Sequence, residues 1–221
     1  MEKGFRHEYK YLISRASAQL LKVRLPHVMH LDSHVGASGK YTIRSLYFDD
    51  PRRSAYEDKI DGLCHRVKYR IRCYNGNTDV INLEKKEKHG DLTGKTAQAL
   101  TVEQARRLQR GLPAAQGLAM ELYTSRELRP CVLVEYDRTP FVCHAGNTRI
   151  TIDEDLRTRP CCTDLFTGGI MMPVMDRDTV VLEVKFDDFL PDFLARTLAD
   201  IPKQHMAISK YALCMEVSER L

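Results

Sequence analysis

The stretch Arg66-Val67-Lys68-Tyr69-Arg70-Ile71-Arg72-Cys73-Tyr74 alternates basic residues with apolar or aromatic ones. Successive side chains of a β-strand point to opposite faces, so one face of this strand would carry only Arg and Lys. Asn75-Gly76 follows directly, and this dipeptide favours the tight turns that join antiparallel strands. The stretch therefore predicts a strand over 65–74 that forms a hairpin with a second strand over 79–88.

Five further stretches have the alternation, or the β-branched and aromatic content, that is typical of strands. They span residues 4–13, 41–49, 131–138, 148–154 and 179–186. A Glu and a Lys stand two residues apart on three of the predicted strands, at Glu8/Lys10, Glu84/Lys86 and Glu183/Lys185. Residues two apart share a face of a strand, so these charged faces would converge inside a barrel if the sheet closed on itself.

Helices are expected between the strands. The predicted helices span 15–25, 102–110, 115–128, 190–200 and 209–219. Ser14 is a candidate N-cap for the first helix, and Thr101 followed by Gln104 fits a capping box for the second. Hairpins interspersed with helices indicate an α+β fold on an antiparallel sheet. Because we find no linker or low-complexity tract, we expect a single domain over residues 1–221.

The composition excludes several classes of function. With 34 basic and 30 acidic residues, the net charge of +4 is too small for a protein that coats nucleic acid, so a basic site must arise from the placement of charges. No run of 18 apolar residues and no apolar signal core occur, so we expect a cytoplasmic protein without membrane insertion. The seven Cys are an odd number without a CxxC pair, which favours reduced thiols.

Two interpretations of the charged faces remain open. A half-buried antiparallel sheet commonly exposes one polar face to water, and each of these strands could do so. However, the face of Lys68, Arg70 and Arg72 contains no acid, whereas a solvent-exposed face more often mixes both signs. In a closed barrel these like charges would repel one another unless a polyanion or water filled the interior. The few carboxylates there would suit Mg²⁺ or Mn²⁺.

Seven short motifs follow one another in an order that is specific to a known family. They occupy residues 41–50, 67–74, 83–86, 134–141, 149–153, 182–186 and 209–211. In this order they resemble the catalytic domain of the vacuolar transporter chaperone (VTC) complex, in its bacterial stand-alone form, over nearly the whole chain. The resemblance implies a triphosphate tunnel fold, in which eight antiparallel strands close into a barrel with a basic bore and peripheral helices.

The resemblance also implies an activity. Fungal members of the family make polyphosphate from ATP with a divalent metal, often Mn²⁺, while relatives with the same tunnel hydrolyse triphosphates or cyclise nucleotides. For this chain it implies a metal-dependent phosphotransferase that adds the terminal phosphate of ATP to a polyphosphate chain. A triphosphatase and a non-enzymatic polyphosphate-binding module need the same bore, and both stay open as alternatives. The sequence identifies no protein partner.

Site residues follow from the family's motifs. The resemblance places phosphate-binding side chains at Lys10, Arg70, Arg72, Lys86, Lys95, Arg138 and Lys210, of which Lys95 is expected in a loop. It places the metal-binding carboxylate at Glu183. The expected neighbours in the bore are Glu8, Arg44, Lys68, Arg149 and Lys185, with Glu8 as a second candidate metal ligand. We expect Arg70, Arg72 and Lys86 to hold the terminal phosphate, because a guanidinium group binds phosphate oxygens in pairs.

Overall fold

The computed structural model describes residues 6–90, 92–125 and 127–220. Its β-strands are β1 (Arg6–Ser14), β2 (His30–Leu31), β3 (Tyr41–Asp49), β4 (His65–Tyr74), β5 (Asn82–His89), β6 (Leu92–Ala99), β7 (Arg129–Cys143), β8 (Thr148–Thr158), β9 (Met172–Pro173), β10 (Thr179–Phe186) and β11 (Gln204–His205). Its α-helices are α1 (Arg15–Arg24), α2 (Ser54–Ile60), α3 (Val102–Gln109), α4 (Leu118–Thr124), α5 (Asp192–Ala199) and α6 (Lys210–Glu219).

The eight long strands close into an antiparallel barrel in the order β7-β3-β4-β5-β6-β1-β10-β8, and β8 pairs with β7 to complete the ring. The α+β fold with a closed eight-stranded barrel and peripheral helices is therefore confirmed. The seam between β1 and β6 is short, because the described residues pair only at Arg6–Thr93 and His7–Leu92. Farther along, β1 pairs instead with β11 through Tyr11 and Leu12, so a C-terminal segment completes this part of the wall.

The predicted hairpin forms between β4 and β5, with register from His65–His89 to Arg72–Asn82. Asn75 and Gly76 adopt φ angles of 52° and 67°, the left-handed conformation for which this dipeptide is suited. The second strand begins at Asn82 instead of residue 79, because residues 75–81 form the connection.

Three helix boundaries follow the sequence signals. Ser14 caps α1 by accepting from Ser17 N–H, Thr101 and Gln104 form the capping box of α3, and Ser209 caps α6. The predicted helix over 115–128 is shorter than expected and comprises Leu118–Thr124.

Strand β6 and helix α2 were not predicted, and neither were the two-residue strands β2, β9 and β11. Lys95 therefore lies in a strand, and its expected place in a loop is wrong. In the segment Leu92–Ala99, Gly94, Lys95, Ala97 and Ala99 belong to residue types that are depleted in strands, and pairing with β5 over eight residue positions overrides that preference. The first two residues of the predicted strand 4–13 lie outside the described residues.

Helices cover the apolar outer face of the barrel and leave the polar face to the interior. Leu21 of α1 and Leu194 and Leu198 of α5 pack with Leu182 and Val184 of β10 in one core cluster. A second cluster joins α3 and α4 to the outer faces of β3, β4 and β5. Helix α6 is placed differently, because its side chains pack with Val132, Val134 and Tyr47, whose strands line the bore. Each helix in the described ranges is too short or too polar to cross a lipid bilayer.

Candidate functional site

A cavity of about 320 Å³ occupies the barrel interior. Eleven Lys or Arg side chains line it, against two Glu. Strand β4 contributes Arg66, Lys68, Arg70 and Arg72, the other strands contribute Lys10, Lys86, Lys88, Arg138 and Lys185, and the helices contribute Lys59 and Lys210. The alternation in β4 thus turns its entire basic face into the bore.

One group of charges surrounds Glu84, a buried carboxylate of β5 that is 1% exposed. Arg70 Nη2 lies 2.6 Å and Lys95 Nζ 3.0 Å from its oxygens, and Arg72 Nη1 lies 3.8 Å away. Burial alone would raise the pKa of Glu84, but Arg70 and Arg72 lower it by more, so its pKa lies below the ordinary value. Glu84 is therefore ionised, and it fixes the two guanidinium groups of β4 in place.

A second group joins β7, β8, β10 and α6 around two more buried carboxylates. Arg138 makes a bidentate contact with Asp153 at 2.6 and 2.7 Å. Lys210 Nζ lies 2.6 Å from Asp153 and 2.7 Å from Glu183, so the first residue of α6 reaches into the barrel. Burial opposes the charge of Lys210, yet Asp153 and Glu183 raise its pKa overall. The amine of Lys210 therefore stays charged near neutral pH.

A third group surrounds Glu8 of β1. Lys86 Nζ lies 2.7 Å from one oxygen of Glu8, and Lys10 and Lys185 lie 3.5 and 3.4 Å from the other. The same two lysines lie 4.0 and 3.5 Å from Glu183. Burial alone would raise the pKa of Glu8, but its three lysine neighbours hold it well below the usual range. Glu8 and Glu183 are thus linked through a shared pair of lysines.

Toward the first residues of β4, Lys59, Arg66 and Lys68 line the bore. Lys68 Nζ donates to Ser209 Oγ at 3.3 Å and lies 4.5 Å above the Tyr211 ring. Burial, followed by the positive charges of Lys10 and Arg66, lowers the pKa of Lys68 to about 7. Burial and its cationic neighbours also lower the pKa of Lys59. A negatively charged ligand would relieve this repulsion.

Aromatic hydroxyls and rings support the deeper cations. Tyr47 accepts a hydrogen bond from Arg70 at 2.8 Å, and Tyr136 accepts one from Arg72 at 3.3 Å. The Tyr136 ring also lies within 5.3 Å of the Arg138 guanidinium carbon and 4.9 Å of Lys210 Nζ. These contacts restrict the side chains to positions that face the cavity.

Ten of the thirteen predicted site residues line this cavity, and they come from five strands and the start of helix α6. The ten are Glu8, Lys10, Lys68, Arg70, Arg72, Lys86, Arg138, Glu183, Lys185 and Lys210. Lys95 does not line the cavity but reaches Glu84, and its side chain is 54% exposed.

Arg44 lies on the outer face, which corrects its expected place in the bore, whereas Arg149 lies opposite Lys185 but does not line the cavity. Ser45 points inward, since its hydroxyl accepts from Arg72, so Arg44 points to the outer face. There it pairs with Glu135 at 2.5 Å and donates to the backbone carbonyl of Leu165. Arg149 donates to the Tyr41 hydroxyl and pairs with Asp32 at 2.9 Å, outside the cavity lining.

Tyr47, Tyr136 and Lys59 were missed by the sequence reasoning. Tyr136 stands two residues before Arg138 and so shares its face on β7, which is a signal that was available. Tyr47 similarly lies two residues after Ser45. Lys59 has no such signal, because it reaches the cavity from helix α2, whose position depends on tertiary packing.

The two lining carboxylates are the candidates for a metal. No group of three or more His, Cys, Asp or Glu with metal-binding geometry occurs in the residues that the structure describes. Mg²⁺, however, commonly uses one or two carboxylates together with water and substrate phosphates. Glu8 Oε1 is buried and makes no hydrogen bond to the described residues, and Glu183 borders the same cavity. This donor set fits a hard divalent cation that is bound jointly with phosphate.

Comparisons with known proteins agree with this geometry. The family model for the VTC domain matches residues 5–219. A candidate adenylyl cyclase from Hippeastrum, described as having a dominant triphosphatase activity, shares the fold with a TM-score of 0.59 and 16% identity, over 96% of each chain. A candidate adenylate cyclase from Bacillus halodurans has a TM-score of 0.56 and 15% identity, over 90% of this chain and 88% of its own. No curated protein matches the chain.

Proposed function

The chain belongs to the VTC domain family, and from this premise we propose that it transfers the terminal phosphoryl group of ATP to a polyphosphate chain with the help of a divalent metal. The observation that carries the proposal is that eleven basic and only two acidic side chains line the cavity inside the barrel. A cavity of this sign concentrates phosphate-rich ligands, and such ligands relieve its internal repulsion.

We propose that Arg70, Arg72 and Lys86 bind the terminal phosphate. The guanidinium groups stand two residues apart on β4, so they can contact successive phosphates of a chain. Glu84 holds Arg70 at 2.6 Å and lies 3.8 Å from Arg72, which keeps both groups oriented before the ligand arrives. Phosphoryl transfer depends mainly on such positioning and on charge neutralisation.

Arg138 and Lys210 neutralise charge on the opposite wall. Arg138 and Lys210 each lie 2.6 Å from a carboxylate oxygen of Asp153. These ion pairs can remain in place while both side chains face the phosphates. The positive potential along the bore also includes Lys10, Lys68 and Lys185. Lys95 acts indirectly, through its ion pair with Glu84. Arg44 and Arg149 have no part in this proposal.

Glu183 and Glu8 would hold the Mn²⁺ or Mg²⁺ ion. When bound, such an ion supplies neutralisation of phosphate charge and polarisation of a phosphorus–oxygen bond. The chain's own contribution is to keep both carboxylates ionised, since lysine neighbours lower the pKa of each. Lys10 and Lys185 contact both carboxylates and therefore keep the two side chains directed at one region of the bore.

The lowered pKa values of Glu8 and Glu84 favour transfer of the phosphoryl group over its hydrolysis. A hydrolase needs a base that activates water, and Glu8 and Glu84 are the candidates in this bore. Both have a pKa below the ordinary value, which makes them weak bases. The end of a polyphosphate chain is already anionic and needs no such base. A triphosphatase with the same bore is the second candidate, because a protein of this fold from Hippeastrum is described with that activity.

We also propose a reducing, cytoplasmic compartment. All seven cysteines are free thiols, and Cys64 and Cys161 are exposed. Free exposed thiols persist where the redox environment keeps them reduced, and ATP as substrate is consistent with that compartment.

Purified protein with ATP and Mn²⁺ tests the activity. We expect chains that stain as polyphosphate on a gel, and nucleoside diphosphate in equal measure to the phosphate incorporated. Free phosphate without chains would instead identify a triphosphatase. Binding of tripolyphosphate without turnover would identify a binding module.

A matched pair of variants ties the result to the bore. Lys86→Gln removes an amine that lines the cavity and should lower turnover at least tenfold. Arg110→Gln removes one charge from the exposed end of α3 and should leave turnover unchanged. Equal effects of the two substitutions would contradict the assignment of the site.

A further inference from the structure

Burial lowers the pKa of two lysines in the bore, Lys68 and Lys86, to about 7, and the two differ in their partners. Lys10, Lys86 and Lys185 each have a carboxylate oxygen within 4.0 Å. The described residues place no carboxylate within that distance of Lys68 Nζ, which contacts the Ser209 hydroxyl and the face of the Tyr211 ring. Its amine therefore borders the cavity without an acid that would hold its proton.

The charged groups that lower the pKa of Lys68 most are cationic. Lys10 from β1, Arg66 from β4, Lys86 from β5 and Lys59 from α2 oppose its protonation, and burial does so most strongly. As a result the pKa of Lys68 falls to about 7. A large fraction of this amine is thus neutral at pH 7 to 8, and the neutral amine is the nucleophilic form.

We propose that Lys68 is a modification site that reacts with small acyl phosphates, which the bore captures through their phosphate group. The Lys68 nitrogen forms a bond to the acyl carbon, and the bond from that carbon to the bridging phosphate oxygen breaks. Phosphate leaves with the bonding electron pair and takes up the proton that the amine loses, so it departs as hydrogen phosphate. The product is an amide, and no oxidant, reductant or further reactant is needed.

The geometry selects an acyl phosphate over other acylating agents. Its phosphate is drawn to the cations around Lys68, notably Arg66, Lys10 and Lys86, which places the adjoining acyl group beside the nucleophile. An acyl phosphate carries at most two negative charges, so it offsets only part of this cluster and leaves much of Lys68 neutral. A triphosphate carries more charge, occupies the same space and should protect Lys68.

Acylation would remove one positive charge from the bore. The modified chain should therefore bind polyanions more weakly, which would make acyl phosphates regulators of the same cavity. This inference rests on the proposed function to the extent that both require the bore to bind phosphate groups.

The experiment treats the full chain with acetyl phosphate at pH 8 and follows acetylation of each lysine by peptide mass spectrometry. At that pH an amine with a pKa of 7 is about 90% neutral, against about 0.4% for an ordinary lysine. A less basic amine is also a weaker nucleophile, so we expect Lys68 to react at least tenfold faster than Lys40, which lies outside the cavity. With acetic anhydride, which lacks a phosphate, this preference should shrink severalfold.

Tripolyphosphate should suppress acetylation of Lys68 and leave that of Lys40 unchanged. Lys68→Arg should remove the fast-reacting site, while Lys40→Arg should not. The inference is overturned if Lys68 reacts no faster than Lys40, or if tripolyphosphate slows both lysines equally. Thermal melting with tripolyphosphate separates the two proposals: if it stabilises the protein but Lys68 is not preferred, only this inference fails, and if it does not stabilise the protein, the proposed function fails.

Discussion

Replacing Lys68 by methionine should stabilise the ligand-free protein at pH 7, although it removes a lysine from the interior of the barrel. Burial and the neighbouring cations lower the pKa of Lys68 from 10.5 to about 7. Between these two values the unfolded chain holds more protons than the folded protein, so stability rises with pH. Below pH 7 both states are protonated, and the electrostatic cost of the charged amine is complete. Methionine has a similar shape and no charge.

The linkage relation sets the size of this effect. A single group contributes up to about 1.4 kcal/mol per pH unit between its two pKa values. Lys68 is only partly buried by its exposed area, so water screens part of the repulsion. We therefore expect the free energy of unfolding of the variant to exceed that of the wild type by about 2 kcal/mol at pH 7. This difference should narrow by about 1 to 2 kcal/mol by pH 9.

Denaturant unfolding of both proteins at pH 7, 8 and 9, at one ionic strength, measures this difference. Other titrating groups are common to the two proteins and cancel in the comparison. Saturating tripolyphosphate should narrow the difference in free energy of unfolding, because the wild type gains more from the ligand. A difference that stays constant from pH 7 to 9, or a variant that is less stable at pH 7, would refute the reasoning.

Three further substitutions test separate parts of the structure. Glu183→Gln should abolish Mn²⁺-dependent turnover of ATP and preserve the circular dichroism spectrum; unchanged turnover would remove Glu183 from the metal site. Arg70→Met should cost about 3 kcal/mol in denaturant unfolding, because it leaves the buried Glu84 short of its nearest partner, and adding Glu84→Gln should recover most of the loss; no recovery would contradict the pairing. Asp49→Ala should cost about 2 to 4 kcal/mol, because this carboxylate accepts from the Tyr211 hydroxyl and from backbone N–H groups at the start of α2; a loss below about 1 kcal/mol would argue against that role.

The alternation in β4 made the most informative part of the fold predictable. A strand with period-two charge has one basic face by geometry alone, and Asn75-Gly76 supplied the turn to its partner. The family's motifs added the closure of the barrel, which no local pattern specifies. Strand β6 was not predicted, because half of its residues are Gly, Ala or Lys, which are depleted in strands. Its pairing with β5 brings this segment into the sheet.

The candidate site shows a similar division between local and tertiary information. Ten predicted residues line one cavity. Nine of them lie on strand faces that point inward, and Lys210 is the first residue of helix α6. Arg44 stands in an apolar strand with both faces buried, so its neighbours gave no indication of which face points outward. The pairing of Lys210 with Asp153 could not be predicted locally either, because it depends on where α6 enters the barrel.

Binding of tripolyphosphate to the bore is the most direct test of the account. Isothermal titration calorimetry at fixed ionic strength should show saturable binding of one tripolyphosphate per chain, with an affinity that falls steeply as salt rises. Lys68→Met should weaken this binding at least fivefold, and Arg110→Gln, which removes a charge outside the cavity, should leave it unchanged. If tripolyphosphate binds no more strongly than sulfate at matched ionic strength, or if the two substitutions act alike, the basic interior is not a phosphate-binding bore.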